Sequence, residues 1–287
     1  MNIRGTSQLA GVFGWPVRHS RSPVMHNYWL EQLGIDAAYV PLAVAPEDFA
    51  ETLKCLGKLG FVGANVTIPH KRAALVSVDH ADDTARRVGA VNTITVGESG
   101  ELYGGNTDGV GFMSSLTLAG TTWRPTAAPA ALIGAGGAAR AVLVALLDAG
   151  VPELRLINRS LERAEAVAKD LGDSRVKTIE WGQREGALSE AGLLVNTTAA
   201  GLKGNEPLDL NLSALPIEAL VTDLIYDPVL TPLLENAQAR GNPIVDGLGM
   251  LIHQAIPGFT AWFGVEPTVT PTLRELLQRD VVSGTGR

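Results

Sequence analysis

Ala130-Ala131-Leu132-Ile133-Gly134-Ala135-Gly136-Gly137-Ala138-Ala139-Arg140 is the stretch on which the reading of this chain turns. A short apolar run leads into a glycine-rich turn, and a helical pattern follows. That context makes a G-x-G-x-x-G/A match credible as a dinucleotide-binding turn. Gly134 allows the sharp turn, and Gly136 lets backbone N–H groups approach a pyrophosphate. Ala139 is small enough for close packing of helix on strand. More than a hundred residues come before the turn, so a whole domain fits upstream of it.

With 287 residues the chain has room for one large or two ordinary domains. Hydrophobic residues make up 46% and charged residues 18%, as in a compact globular protein. A net charge of −7 gives no global attraction for nucleic acid or for an anionic membrane. The single cysteine, Cys55, excludes an internal disulfide and a cysteine-based zinc site. The histidines at 19, 26, 70, 80 and 253 lack the paired spacing of a metal motif, so no metal is expected. No apolar run approaches the ~20 residues of a membrane span, and no signal-peptide core stands at the N-terminus. A cytoplasmic protein without nucleic-acid or membrane partners is expected.

Short apolar runs alternate with helical stretches along the chain, which favours α/β architecture. Strands are expected at Val12-Phe13, 38–40, 61–66 and 92–96. After the turn they are expected at 131–133, 154–157, 193–195, 221–225 and 243–245. Ser22-Pro23 and Thr231-Pro232 open helices with a hydroxyl cap and Pro in the first turn. A helix is expected around 49–56, and the apolar stretch 250–263 has helical length. A last helix starts at Thr270-Pro271. Gly120 to Pro129 reads as a linker or domain edge.

In NAD-binding turns a carboxylate commonly ends the second strand and binds the ribose hydroxyls. Here that strand runs into Asn158-Arg159-Ser160-Leu161-Glu162-Arg163, with Asn158 and two arginines at the expected place. Guanidinium groups bind a 2′-phosphate through charge-assisted hydrogen bonds. Arg159 and Arg163, four apart, are placed to share one helix face. NADP is therefore favoured over NAD.

Hydride transfer to a carbonyl also needs a proton donor. Asn65-Val66-Thr67-Ile68-Pro69-His70-Lys71 begins at the end of an apolar strand, where ligands sit in open α/β sheets. A lysine beside apolar walls loses proton affinity and can act as acid or base. Set against this, most lysines are solvated surface residues. Asp108 lies in Gly105-Asn106-Thr107-Asp108-Gly109, before a helix pattern, where it serves either as an N-cap or as a carboxylate holding Lys71. Ser20 and Ser22 stand at a helix start suited to an anion such as a carboxylate.

Several motifs together resemble the shikimate dehydrogenase family. They are Gly14-x-Pro16-x-x-His19-Ser20-x-Ser22-Pro23, Asn65-Val66-Thr67-x-Pro69-x-Lys71, Gly89-Ala90-Val91-Asn92-Thr93, Asn106-Thr107-Asp108-Gly109, the glycine turn with Arg140, and Asp246-Gly247-Leu248-Gly249-Met250-Leu251. They occur in family order over nearly the whole chain. The resemblance implies NADPH-dependent reduction of 3-dehydroshikimate to shikimate, a step in chorismate and aromatic amino-acid biosynthesis. It implies Lys71 and Asp108 as the catalytic pair. Ser20 and Ser22 would bind the substrate carboxylate, and Asn65, Thr67, Asn92, Gln254 and Tyr226 the rest of the substrate. Gly134, Gly136, Gly137 and Ala138 would form the cofactor turn, with Gly247 and Met250 near the nicotinamide. Asn158, Arg159, Ser160 and Arg163 would clamp the adenosine phosphate.

The implied fold has an N-terminal α/β substrate domain (1–120) and a Rossmann-type NADP domain (121–248). C-terminal helices (249–287) return to the substrate domain. A homodimer is compatible with this reading. The rival readings are a quinate/shikimate dehydrogenase, a methylenetetrahydrofolate dehydrogenase and a non-catalytic NADP-binding regulator. The first often uses NAD, the second leaves Ser20 and Ser22 without an evident purpose, and the third has no need of Lys71 or Asp108.

Overall fold

The computed structural model describes residues 3–283, with side chains described through Arg279. Two compact units divide the chain: residues 1–108 with 251–287, and residues 109–250. The first contains β1 (Gln8–Gly14), α1 (Ser22–Gln32), β2 (Ala37–Ala43), α2 (Phe49–Leu53), β3 (Phe61–Val66) and α3 (Lys71–Ser77). It continues through β4 (His80–Ala81), α4 (Asp83–Val88), β5 (Thr93–Val96) and β6 (Leu102–Gly105). Helix α5 (Asp108–Leu118) then leads into the second unit. That unit holds β7 (Ala130–Ile133), α6 (Gly137–Asp148), β8 (Leu154–Asn158), α7 (Leu161–Leu171) and β9 (Val176–Glu180). After it come β10 (Leu193–Asn196), β11 (Leu220–Asp223), α8 (Pro232–Arg240), β12 (Ile244–Val245) and α9 (Gly247–His253). The chain ends with α10 (Ile256–Phe263) and α11 (Pro271–Ser283). Among the described residues no helix is long and apolar enough to cross a membrane.

The first unit's sheet has the order β2-β1-β3-β5-β6-β4. β1 pairs in parallel with β2 and β3, whereas β5 runs antiparallel to both β3 and β6. One face is covered by Phe13, Phe49, Leu53, Val66, Val91 and Ile94, all buried. On α10, Trp262 is seated over Gly63, where any Cβ would collide with the indole, and its Nε1 donates to the Ile94 carbonyl at 2.9 Å. The buried ring of His26 stacks on Tyr39 with centroids 4.0 Å apart, and Trp29, Phe259 and Trp262 surround it. Neither ring nitrogen has a hydrogen-bond partner among the described residues. Burial pushes the His26 pKa down from 6.5 to about 3, so the ring is neutral; Asn65, beside it but outside hydrogen-bond geometry, offsets only part of this.

The second unit is a fully parallel sheet in the order β12-β11-β10-β7-β8-β9. Counted within the unit this is the 3-2-1-4-5-6 arrangement of a doubly wound dinucleotide fold, with its switch point between β7 and β10. Leu132, Val142, Leu146, Leu156 and Val195 fill one side of the sheet and Ile133, Ile157, Leu194 and Val221 the other. Such all-round burial is why these strands read as continuous apolar runs.

Several sequence expectations are corrected. The division falls at 108/109 and 250/251 rather than after Gly120 and before 249, because Phe112 and Leu116 of α5 are buried with Leu132 and Val142. The stretch 250–263 is not one helix: it is divided between α9 and α10, with Pro257 in the first turn of α10. Ser22 is the first residue of α1 rather than its cap. Arg21 holds the cap position, and no side chain caps the helix.

Candidate functional site

The first unit gathers a polar cluster at the loops that follow β3 and β6. Lys71 opens α3, and its Nζ donates to Asp108 Oδ2 at 2.6 Å. The lysine side chain is 23% exposed and the aspartate's 8%, so the pair is half-sheltered and still reachable. Asp108 Oδ1 accepts from Asn92 Nδ2 at 2.8 Å. The Asn92 amide cannot be reversed, because its Oδ1 accepts the Thr107 backbone N–H at 2.9 Å, and an N–H can only donate. Asn106 Oδ1 takes the Asp108 backbone N–H at 3.1 Å. Asp108, the first residue of α5, thus engages Lys71 through one oxygen and Asn92 through the other.

The cluster extends on both sides. Thr93 Oγ1 donates to Asn92 Oδ1 at 3.0 Å, and Asn65 Nδ2 reaches Thr93 Oγ1 at 3.2 Å. Asn65 Oδ1 in turn accepts from the Tyr39 hydroxyl at 2.7 Å. Burial raises the Tyr39 phenol well above its ordinary value, opposed by a hydrogen bond with the Ser22 side chain. From the other end of the chain, the Gln254 carbonyl accepts from Thr107 Oγ1 at 2.7 Å, and its Oε1 stands 3.4 Å from Asn92 Nδ2. Lys71 itself is held by its neighbours. Its carbonyl accepts from Val91 N, and the adjacent His70 donates from Nε2 to the Val44 carbonyl at 2.8 Å while stacking on Phe49. Burial lowers the His70 pKa.

Ser20, Ser22 and Thr67 border this cluster. Ser20 Oγ accepts the Ser22 backbone N–H at 3.3 Å. Thr67 follows β3, with its N–H on the Phe13 carbonyl and its methyl against Gly14. At the start of α1 the Ser22 N–H is already taken by Ser20 Oγ and Pro23 has no N–H, so the groups offered to an anion there are the serine hydroxyls. The first unit therefore brings together Lys71, Asp108, Asn92, Asn65 and Gln254. Thr93, Thr107 and Tyr39 are added by the structure. Thr93 and Thr107 stand within the quoted motifs without a role read for them, and Tyr39 has no signal beyond its place on a strand. Tyr226 lies in the second unit, in the loop after β11.

In the second unit the glycine turn lies at the switch point. Gly134 has φ +110°, and a Cβ there would stand 2.6 Å from Thr197 Oγ1 and 2.8 Å from Thr198 Cγ2. The fold itself demands this glycine. Gly136 and Gly137 are different: both are exposed, and a Cβ on either would meet nothing within 4 Å. Their missing side chains leave open space before the uncapped start of α6, the shape a pyrophosphate needs. Ala138 is half-buried and Ala139 fully buried. Gly247 is tight against the Ile225 and Leu224 carbonyls, which accounts for its identity, and Met250 packs on the hydrophobic cluster.

After β8, Asn158 Nδ2 donates to the Ser160 carbonyl at 2.8 Å, and Ser160 Oγ caps α7 through the Arg163 N–H. Arg159 therefore precedes the helix cap and does not share a helix face with Arg163. The guanidinium groups of both are without a hydrogen bond or ion pair among the described residues, and both residues are exposed. Other arginines of the unit are engaged: Arg140 with Asp170, Arg155 with Glu153, Arg175 with Asp173, Arg184 with Asp209, Arg240 with Asn242. Two unpaired guanidiniums beside an open glycine turn fit a dinucleotide with a ribose phosphate.

Family models match the chain in two places: the shikimate dehydrogenase substrate-binding domain over residues 12–94, and shikimate / quinate 5-dehydrogenase over 120–203. The chain is 57% identical over 272 residues to the shikimate dehydrogenase (NADP(+)) of Paramagnetospirillum magneticum, covering 95% of this chain and 98% of that one. Shikimate 5-dehydrogenase from Thermus thermophilus, solved with NADP(H) and shikimate, superimposes with a TM-score of 0.84 at 37% identity, covering 96% of this chain and 99% of that one. Quinate dehydrogenase from Corynebacterium glutamicum, solved with NAD, gives 0.85 at 29% identity over 96% and 99%.

Proposed function

The chain belongs to the shikimate dehydrogenase family, and from that premise we propose how its own residues carry the reaction. The enzyme is an NADP-dependent oxidoreductase that interconverts 3-dehydroshikimate and shikimate in aromatic amino-acid biosynthesis. Gly134, Gly136, Gly137 and Ala138 receive the pyrophosphate. Asn158, Ser160, Arg159 and Arg163 surround the adenosine phosphate, with Gly247 and Met250 toward the nicotinamide. When bound, the cofactor's nicotinamide would supply hydride to C3 of the substrate in reduction and accept it in oxidation.

Lys71 gives a proton to the C3 oxygen in reduction and takes it back in oxidation. The observation that carries this reading is the Lys71–Asp108 pair at 2.6 Å, with Asn92 fixing the other carboxylate oxygen. Asp108 uses one of the three ammonium donors, which leaves the others to face a substrate oxygen. A carboxylate held from both sides cannot swing, so the ammonium is aimed before substrate arrives. The hydroxyls of Ser20 and Ser22, at the start of α1, take the substrate carboxylate. Asn65, Thr67, Asn92 and Gln254 take the ring hydroxyls. A cytoplasmic location is part of the proposal.

The test is an assay of nicotinamide reduction with shikimate and quinate in parallel, each with NADP and NAD. Shikimate with NADP is expected to have the highest kcat/KM. Comparable efficiency with quinate would favour a quinate/shikimate enzyme, and comparable efficiency with NAD would remove the role given to Arg159 and Arg163.

A further inference from the structure

β8 and β9 are parallel neighbours, and their register pairs Asn158 with Glu180. The next residue on each strand is therefore brought to the same end of the sheet: Arg159 on one, Trp181 on the other. Trp181 begins a short 3₁₀ turn, Trp181–Gln183. Its indole is half-buried and packs against the apolar cluster that includes Ile133, Ile157 and Leu188. The Arg159 Cζ stands 5.6 Å from the ring centroid. No hydrogen bond or ion pair competes with the ring for this guanidinium among the described residues.

A second guanidinium fixes the indole. Arg184 Cζ lies 4.9 Å from the same centroid. Its Nη1 donates to the Trp181 carbonyl at 3.1 Å, its Nε to the Asp209 carbonyl at 3.0 Å, and its Nη2 to Asp209 Oδ2 at 3.0 Å. Arg184 is thus immobilised and its charge is offset by Asp209. Arg159 keeps its full charge and all five donors. An exposed arginine otherwise samples many rotamers, and ordering it on binding costs free energy. An aromatic face reduces that cost, because the planar group rests on it without using a donor.

We propose that Trp181 is a positioning residue for the cofactor's phosphate: it keeps the Arg159 guanidinium over its ring and pre-oriented, and so sharpens the preference for NADPH over NADH. The proposal rests on the assignment of Arg159 to the 2′-phosphate. A residue that merely supported the fold would affect both nucleotides alike, which makes discrimination between them the decisive readout.

The experiment is a double-mutant cycle on the full chain. Dissociation constants for NADPH and NADH would be measured by calorimetry or nucleotide fluorescence for wild type, Arg159→Ala, Trp181→Leu and the double variant. Trp181→Leu is expected to raise the NADPH constant about three- to five-fold, the size of an exposed cation–π contact. It should leave NADH unchanged and add nothing in the Arg159→Ala background. Trp181→Phe keeps a smaller aromatic face and is expected to lose about half as much; it also serves as the test if Trp181→Leu fails to fold. Equal weakening of both nucleotides, full additivity with Arg159→Ala, or no change would overturn the proposal. Should Arg159→Ala fail to separate NADPH from NADH, the phosphate assignment itself falls. Separation by Arg159→Ala but not by Trp181→Leu sinks the role of Trp181 alone.

Discussion

Asp108 and Arg159 are both charged, and both lie just beyond the end of a strand, yet they are in opposite states. Asp108 is buried, with its two oxygens held by Lys71 and Asn92. Arg159 is exposed and, among the described residues, its guanidinium meets the Trp181 ring without a hydrogen bond or ion pair. The same contrast holds between their surroundings. In the first unit the polar groups satisfy one another from Tyr39 through Asn65, Thr93, Asn92 and Asp108 to Lys71. In the second, Gly136 and Gly137 face open space and no side chain caps α6. The difference matches what each place is proposed to do. A proton donor must be aimed to within a fraction of an ångström, so its supports are built in. A cofactor that enters and leaves is better met by a shaped opening and unspent donors. Substitutions in the first region should act on turnover, and those in the second on one ligand's affinity.

Lys71→Ala offers the strongest way to break this comparison. Its kcat is expected to fall by ~10²–10⁴, the range for lost acid–base catalysis, while the NADPH dissociation constant stays unchanged by calorimetry. Wild-type-like turnover would remove Lys71 from the chemistry. Arg159→Ala is the counterpart in the second unit. NADPH affinity should drop about tenfold with NADH affinity and melting temperature unaltered, since one exposed charge-assisted contact is lost. A matched loss for NADH would mean that the residue does not read the phosphate.

The smallest effect concerns the packing behind the polar cluster. His26 is held neutral, with its folded pKa depressed to about 3 from 6.5. Its contribution to stability is therefore full above pH 6.5 and is lost as pH falls toward 3. Between pH 8 and pH 6 this amounts to roughly 1 kcal/mol of unfolding free energy. The slope should be absent in His26→Phe, which keeps an aromatic ring on Tyr39. Equal slopes in denaturant titrations of the two proteins would show that another group is responsible.

Most of the architecture is legible in the sequence because the second unit's strands are buried on both faces and read as apolar runs. What escapes is structure formed by pairing alone. β6 is Leu-Tyr-Gly-Gly, which has little strand preference of its own and exists because β5 lies antiparallel beside it. β9 is an edge strand whose Val-Lys-Thr-Ile-Glu is half exposed. Within the site, Lys71, Asn92, Asp108 and Gln254 can each be named from motifs. That one amide serves both Asp108 and Gln254 requires the fold, because 162 residues separate Asn92 from Gln254. Trp181 carries no motif at all. Only the pairing of Asn158 with Glu180 brings it to Arg159.

The first unit is discontinuous, and this has a consequence for how the protein is made. A ribosome delivers Lys71, Asn92 and Asp108 early, then the entire 109–250 unit, and only afterwards Gln254 and Trp262. The second unit is contiguous and can close on itself while translation continues. The earlier-born unit must wait for residues 251–287 before α10 can cover Gly63 and the Gln254 carbonyl can meet Thr107. In order of birth the proton-transfer residues come first, and in order of completion their setting comes last.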